Sequence, residues 1–183
     1  MEMRWRKSGS LFSSQKYRDC IVLVCVAFVL IWLQGWCNIP RRILGVQPEL
    51  FPVLVLYCAL YRTWAELFIV TGVGSVFYDS LSLNPLGCTL LSTLLVSYVI
   101  HSNRSVVLFD RVRVQMMLGA GISVVIPFLT LFQLMNLSVP PFMNWAVLWT
   151  FVVLAGAGAI FAPILFWVLD KFFQRLPEKN FNL

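Results

Sequence analysis

The sequence predicts an all-α polytopic membrane protein, with six transmembrane helices in one compact bundle. Of its 183 residues, 60% are hydrophobic and only 12% are charged, and the mean hydropathy is +0.82, well outside the composition of soluble domains. The apolar residues also come in long unbroken runs, without the every-second-residue alternation of barrel strands. Helices and closed barrels alone satisfy their own backbone in hydrocarbon, so these runs are expected to be helical.

The first run, Cys20 to Cys37, is close to the roughly 20 residues that cross a bilayer, and Val112 to Met135 and Trp145 to Leu169 exceed it. Between Ile43 and Ile100 the apolar sequence is broken by Arg62-Thr63-Trp64-Ala65-Glu66 and by Ser82-Leu83-Asn84-Pro85. These breaks predict three further spans, Ile43 to Tyr61, Ala65 to Leu83 and Leu86 to His101.

Orientation follows from the basic residues, which concentrate in short cytoplasmic segments. With six spans and both termini in the cytoplasm, the inner segments hold Arg4, Arg6, Lys7, Lys16, Arg18, Arg62, Arg104, Arg111, Arg113, Lys171, Arg175 and Lys179. Of the 14 basic residues, only Arg41 and Arg42 fall outside. The turns at Asn84-Pro85 and at Asn136 to Asn144 carry no charge. The division is then a basic cytoplasmic tail over 1–19, a six-helix membrane domain over 20–170 and a cytoplasmic tail over 171–183. The bacterial inner membrane is the expected location.

The net charge of +6 is thereby explained by topology, and no basic patch interleaved with aromatics stands on a soluble domain, so no nucleic acid is expected as partner. The basic N-terminal residues, with Trp5, Leu11, Phe12 and Tyr17 among them, are either a topogenic tail or an interfacial segment touching anionic lipid. The loop His101 to Arg113 is expected on the cytoplasmic interface. The first run is too long for a signal-peptide core and no small-residue cleavage site follows it, so it is expected to stay in the mature protein. Cys20, Cys25, Cys37, Cys58 and Cys88 form no C-x-x-C pair and read as packing residues, with Cys37 the one exposed to oxidation. Trp32, Trp36, Trp64, Trp145 and Trp167 lie near span ends as interfacial anchors. Pro52, Pro127 and Pro163 lie in or near spans, where a missing N–H bends a helix.

Catalytic chemistry finds little to stand on, and the sequence predicts no enzyme, no cofactor and no metal site. His101, the only histidine, sits at the end of the fourth span, where an interfacial or loop role is expected. A Ser/His pair would need a buried histidine near a serine such as Ser75, and a zinc protease would need two histidines on one helix turn. Gly72-Val73-Gly74-Ser75 departs from the intramembrane aspartyl protease motif at its fourth position. Glu49 and Asp79 are the carboxylates left to consider. An ionisable group in a span is costly and usually finds a partner. Asp79 is one turn from the Asn84-Pro85 break, so it is either a hydrated helix end or a polar bond inside the bundle or to a subunit. Gly72 and Gly74 ahead of it, Gly119-Ala120-Gly121 and Ala155 to Ala159 allow close helix approach, either within the chain or against a second one.

The order and spacing of Gln47-Pro48-Glu49-Leu50, Leu54 to Leu60, Gly72-x-Gly74, Asp79 and Leu86-Gly87 resemble the rod shape-determining MreD family over residues 43–170. The resemblance implies a small helical bundle similar to the substrate-binding subunits of energy-coupling-factor vitamin transporters. It also implies a non-enzymatic scaffold role in cell elongation, binding a bitopic MreC-like protein and helping link MreB filaments with lateral peptidoglycan synthases. Pro48, Glu49, Gly72, Gly74, Asp79 and Gly87 match the family pattern and would be structural or partner-binding. Membrane lipids and a second copy of the chain are the other expected partners. The alternative is a vitamin-transporter subunit of the same fold, which would need an outward polar and aromatic pocket.

Overall fold

The computed structural model describes the backbone of residues 3–36, 41–42, 45–82, 85–104, 112–136 and 145–174, with side chains from Tyr17 onward except at 146 and 174. Among these residues there are six helices and no strand: α1 Met3–Trp36, α2 Phe51–Tyr61, α3 Trp64–Ser82, α4 Cys88–Ser102, α5 Val112–Asn136 and α6 Trp145–Gln174. Three stretches are long and apolar enough to cross a membrane, Tyr17–Trp36, Val112–Asn136 and Val147–Phe173, on the predicted runs Cys20 to Cys37, Val112 to Met135 and Trp145 to Leu169. Helices α3 and α4 start and stop within two residues of their predicted spans. The fifth cysteine, Cys37, and the connections 105–111 and 137–144 lie outside the described residues, as does the tail from 175.

The predicted span Ile43 to Tyr61 differs most. Its helix is only Phe51–Tyr61, 11 residues or about 16 Å, roughly half the hydrocarbon thickness, and it is led in by irregular backbone over 45–50. Proline explains the late start: Pro48 disfavours helix in the residue before it, whereas Pro52 sits in the first turn, where its missing N–H costs nothing. All ten residues from Phe51 to Leu60 are buried, so α2 is apolar on every face, as a helix ringed by others must be. It contacts each of the other five helices.

Around α2, α1 lies beside α3 with Phe28 and Phe77 4.3 Å apart, and it buries Leu23, Ala27 and Ile31 at four-residue spacing. Helix α5 pairs with α6 in antiparallel fashion. Phe128 meets Phe151 near one end, and Gly119 meets Gly158 nearer the other. A Cβ on Gly119 would lie 2.5 Å from Ala162 Cβ, and one on Gly158 would lie 2.7 Å from Ser123 Cβ. The close approach of these two glycines is therefore packing within the chain, whereas Gly121 and Gly156 face open space. Pro127 and Pro163 lie inside α5 and α6.

One end of the bundle is organised by Arg62. Helix α2 stops there, with the Arg62 N–H on the Cys58 carbonyl. The next helix starts at once because Glu66 accepts the Thr63 N–H at 3.2 Å, one half of a capping box. The Arg62 guanidinium donates to Asp19 of α1 at 3.4 Å and lies 3.8 Å over the Phe173 ring of α6. Arg104 donates to the Arg62 carbonyl at 3.3 Å. Tyr57 donates to Asp170 at 3.2 Å. His101 is buried here, against the expectation of an interfacial or loop role. Its Nδ1 is 2.8 Å from the Ala59 carbonyl, and its ring is 4.0 Å from Trp64. A carbonyl can only accept, so Nδ1 carries the proton, and the histidine ties α4 to α2.

Candidate functional site

The opposite end of the bundle, where α3 turns into α4 at Gly87, gathers the motif residues. It starts from an unsatisfied need: the first N–H groups of α2 have no partner within the helix, and Leu50 offers no side-chain cap. Helix α1 supplies one, because Gln34 Oε1 accepts the Leu50 N–H at 3.2 Å. The Gln34 carbonyl in turn accepts from the Gln47 side chain. Tyr78 of α3 completes this group: its ring stacks on Phe51 at 6.0 Å, and its hydroxyl interacts with Glu49, Ser82 and Gln34. Pro48 is buried and Glu49 half-buried.

Gly74 fits beneath this group. A Cβ there would come within 2.9 Å of Phe51 Cζ, so the glycine lets the start of α2 press against α3. One turn further on, Asp79 is fully buried, and its Oδ2 accepts the Gly87 N–H at 2.8 Å. Gly87 has φ +100°, a backbone conformation that residues with a Cβ adopt only under strain. The carboxylate thus fixes the turn that starts α4, where the helix macrodipole favours negative charge. Asp79 Oδ1 is buried without a partner among the described residues, leaving one strong acceptor to spare. Asp79 is accordingly a polar bond inside the bundle and not a hydrated helix end.

Five of the six motif residues, Pro48, Glu49, Gly74, Asp79 and Gly87, therefore lie at one end of the bundle. Gly72 does not join them: nothing lies within 4 Å of where its Cβ would be, and its neighbours Val73 and Val76 are exposed.

Behind the turn, hydroxyls link three helices. Ser75 of α3 and Thr93 of α4 are 2.8 Å apart. Thr130 and Gln133 of α5 both donate to Ser92, at 3.1 and 2.8 Å. Interhelical hydrogen bonds of this kind replace the hydrophobic drive that lipid does not provide. Sequence reasoning named Ser75 only as a candidate nucleophile and singled out none of Ser92, Thr93, Thr130, Gln133, Gln34 and Tyr78. The signal existed in α4, where Thr89, Ser92, Thr93 and Ser97 recur at the three- and four-residue spacing of one helix face.

The chemistry of this end is that of hydrogen-bond acceptance and packing. Ser75 has a hydroxyl for a partner, and His101 lies eight residues beyond Thr93, about 12 Å along α4, with its proton engaged at the Arg62 end. Among the described residues no group of His, Cys, Asp and Glu is placed to hold a metal ion. No protein-family model, no curated protein and no solved structure matches the chain.

Proposed function

We propose that this chain is a six-span, non-enzymatic scaffold of the bacterial cell-elongation machinery, of the MreD type. Its Gly87 end would receive an MreC-like bitopic partner and so help link MreB filaments to lateral peptidoglycan synthesis. The observation that carries the reading is the meeting of Pro48, Glu49, Gly74, Asp79 and Gly87. Residues from three separate chain segments that bear the family resemblance lie at this one end, where Asp79 holds the Gly87 turn and Gly74 admits Phe51. Charge supports the orientation: Arg62, Arg104, Arg113 and Lys171 lie at or near the opposite end, which the positive-inside rule assigns to the cytoplasm. The patch then faces the periplasm, where the bulk of an MreC-like partner resides.

The decisive experiment is tagged co-purification from a native-like membrane. Recovery of an MreC-like protein, weakened by Asp79→Asn and by Gly74→Leu while the chain still accumulates, supports the scaffold. Recovery of an ATPase pair instead identifies a transporter subunit, and wild-type recovery of the partner by both variants removes the patch from the interface. Reporter fusions test topology separately. Fusions at Arg62, Val107 and Glu178 should report cytoplasm, and fusions at Pro40, Asn84 and Pro140 should report periplasm.

A further inference from the structure

Between α4 and α5 runs an open groove of about 480 Å³ with only apolar side chains along it. Leu95 and Val99 form one wall, and Met117, Val125 and Leu129 the other. Gly121 is its floor, with nothing within 4 Å of the place a Cβ would occupy. We propose that this groove is a binding site for one anionic phospholipid, whose acyl chain lies along Gly121 and whose phosphate meets Arg104 and Arg113.

Length, volume and charge each point to that occupant. From Met117 to Leu129 the groove follows 13 residues of α5, a rise of about 18 Å, which is close to one leaflet of a hydrocarbon core roughly 30 Å thick. A partner helix would need a seam across both leaflets. A volume of about 480 Å³ holds on the order of 16 groups of the size of a water, about 30 Å³ each, which is one fatty acyl chain. Both cations stand at the same end of the groove. Arg113 precedes Met117 by one helical turn and is exposed, and Arg104 follows Ile100 by four residues and is exposed. One Arg104 N–H bonds the Arg62 carbonyl at this same end of the bundle. Two guanidiniums beside a phosphate form charge-assisted hydrogen bonds that a zwitterionic headgroup, carrying its own cation, weakens.

The test uses the purified full-length chain in detergent, equilibrated with equal amounts of phosphatidylglycerol and phosphatidylcholine of identical acyl chains. Retained lipid is then counted by native mass spectrometry. A basic residue at a membrane surface is worth on the order of fivefold in affinity for an anionic lipid, so the two together should favour phosphatidylglycerol about 25-fold. Arg113→Gln should lower that preference about fivefold, and Arg104→Gln with Arg113→Gln should abolish it. Arg41→Gln with Arg42→Gln, on the far side of the bundle, should leave it unchanged. Gly121→Leu should reduce retention of both lipids by filling the groove. Arg113 is exposed in the first turn of α5, where removing a cation favours the helix, so Arg113→Gln decides the matter even where the double variant fails to fold. Equal retention of the two lipids by the wild type, an unchanged preference in Arg113→Gln, or undiminished retention in Gly121→Leu would overturn the proposal. So would a cross-link between two copies through Met117→Cys.

Discussion

Asp79→Ala removes the acceptor of the Gly87 N–H, whose bond is 2.8 Å long, at a fully buried carboxylate. A hydrogen bond to a charged group contributes about 1.5 to 3 kcal/mol, and a buried donor left alone costs a similar amount. Interhelical bonds measured in lipid average lower, about 0.6 kcal/mol, because the unfolded chain in the membrane finds other partners. Gly87 is half-buried and stands where the backbone must hold a positive φ, so the expected loss is about 2 kcal/mol. For a chain of this length that is roughly 4 to 8 °C in Tm. Asp79→Asn keeps an acceptor for Gly87 and places an amide beside the position of the unpartnered Oδ1, so its loss should stay under about 1 kcal/mol. Thermal unfolding of the three proteins in the same detergent, checked by reversible denaturant titration, gives the comparison. An Asp79→Ala protein as stable as the wild type would remove the carboxylate from the turn. Equal losses in both variants would mean that the charge itself, not the acceptor geometry, holds the site.

Four further outcomes are expected. Gly119→Leu and Gly158→Leu should each lower Tm sharply, by at least about 2 kcal/mol of overpacking, because a Cβ at either meets a neighbouring atom within 2.7 Å. Gly121→Ala and Gly156→Ala should raise stability by about 0.5 to 1 kcal/mol through helix propensity alone, in the same thermal assay. Gln34→Leu should shorten α2 at its start and lower stability by about 1 to 2 kcal/mol, since the Leu50 N–H loses its acceptor; hydrogen exchange at the first turn of α2 reads this directly. His101→Ala should cost about 1 to 3 kcal/mol by leaving the Ala59 carbonyl unpaired, yet cell shape should stay normal wherever the protein still accumulates.

The long apolar runs were legible because length and composition alone decide them: α5, α6 and the apolar part of α1 lie where hydropathy places them, while α1 itself starts earlier, at Met3. Helices α3 and α4 were legible from their punctuation: Arg62 to Glu66 in fact holds a turn and one half of a capping box, and Pro85 to Gly87 a glycine-led helix start. Helix α2 was misread in length. Hydropathy averages over Ile43 to Tyr61 and does not register that Pro48 and Glu49 interrupt helix while remaining inside the bundle, supported by a side chain sixteen residues away. The burial of His101 was not legible for a related reason, since its acceptor is a backbone carbonyl of α2 and no side-chain motif announces it. Among the site residues, Asp79 and Gly74 were found by cost arguments about charge and bulk. Gly72 was carried along by its position in a motif, although its own face of α3 points away. Tyr78 and Gln34 gave no signal, because nothing in their local sequence distinguishes an anchoring aromatic or a helix-end amide from a cap for a distant helix.

The central position of α2 bears on how the chain is made. A segment of 11 residues with the Leu50 N–H at its start held by α1 and its sides covered by α3 to α6 is not expected to settle in the bilayer while those neighbours are still unsynthesised. The ribosome delivers α1 first and α6 last, so the surroundings of α2 are complete only once α6 has been made. Truncations that omit α6 are expected to be degraded even though five helices and every residue of the Gly87 patch have been translated.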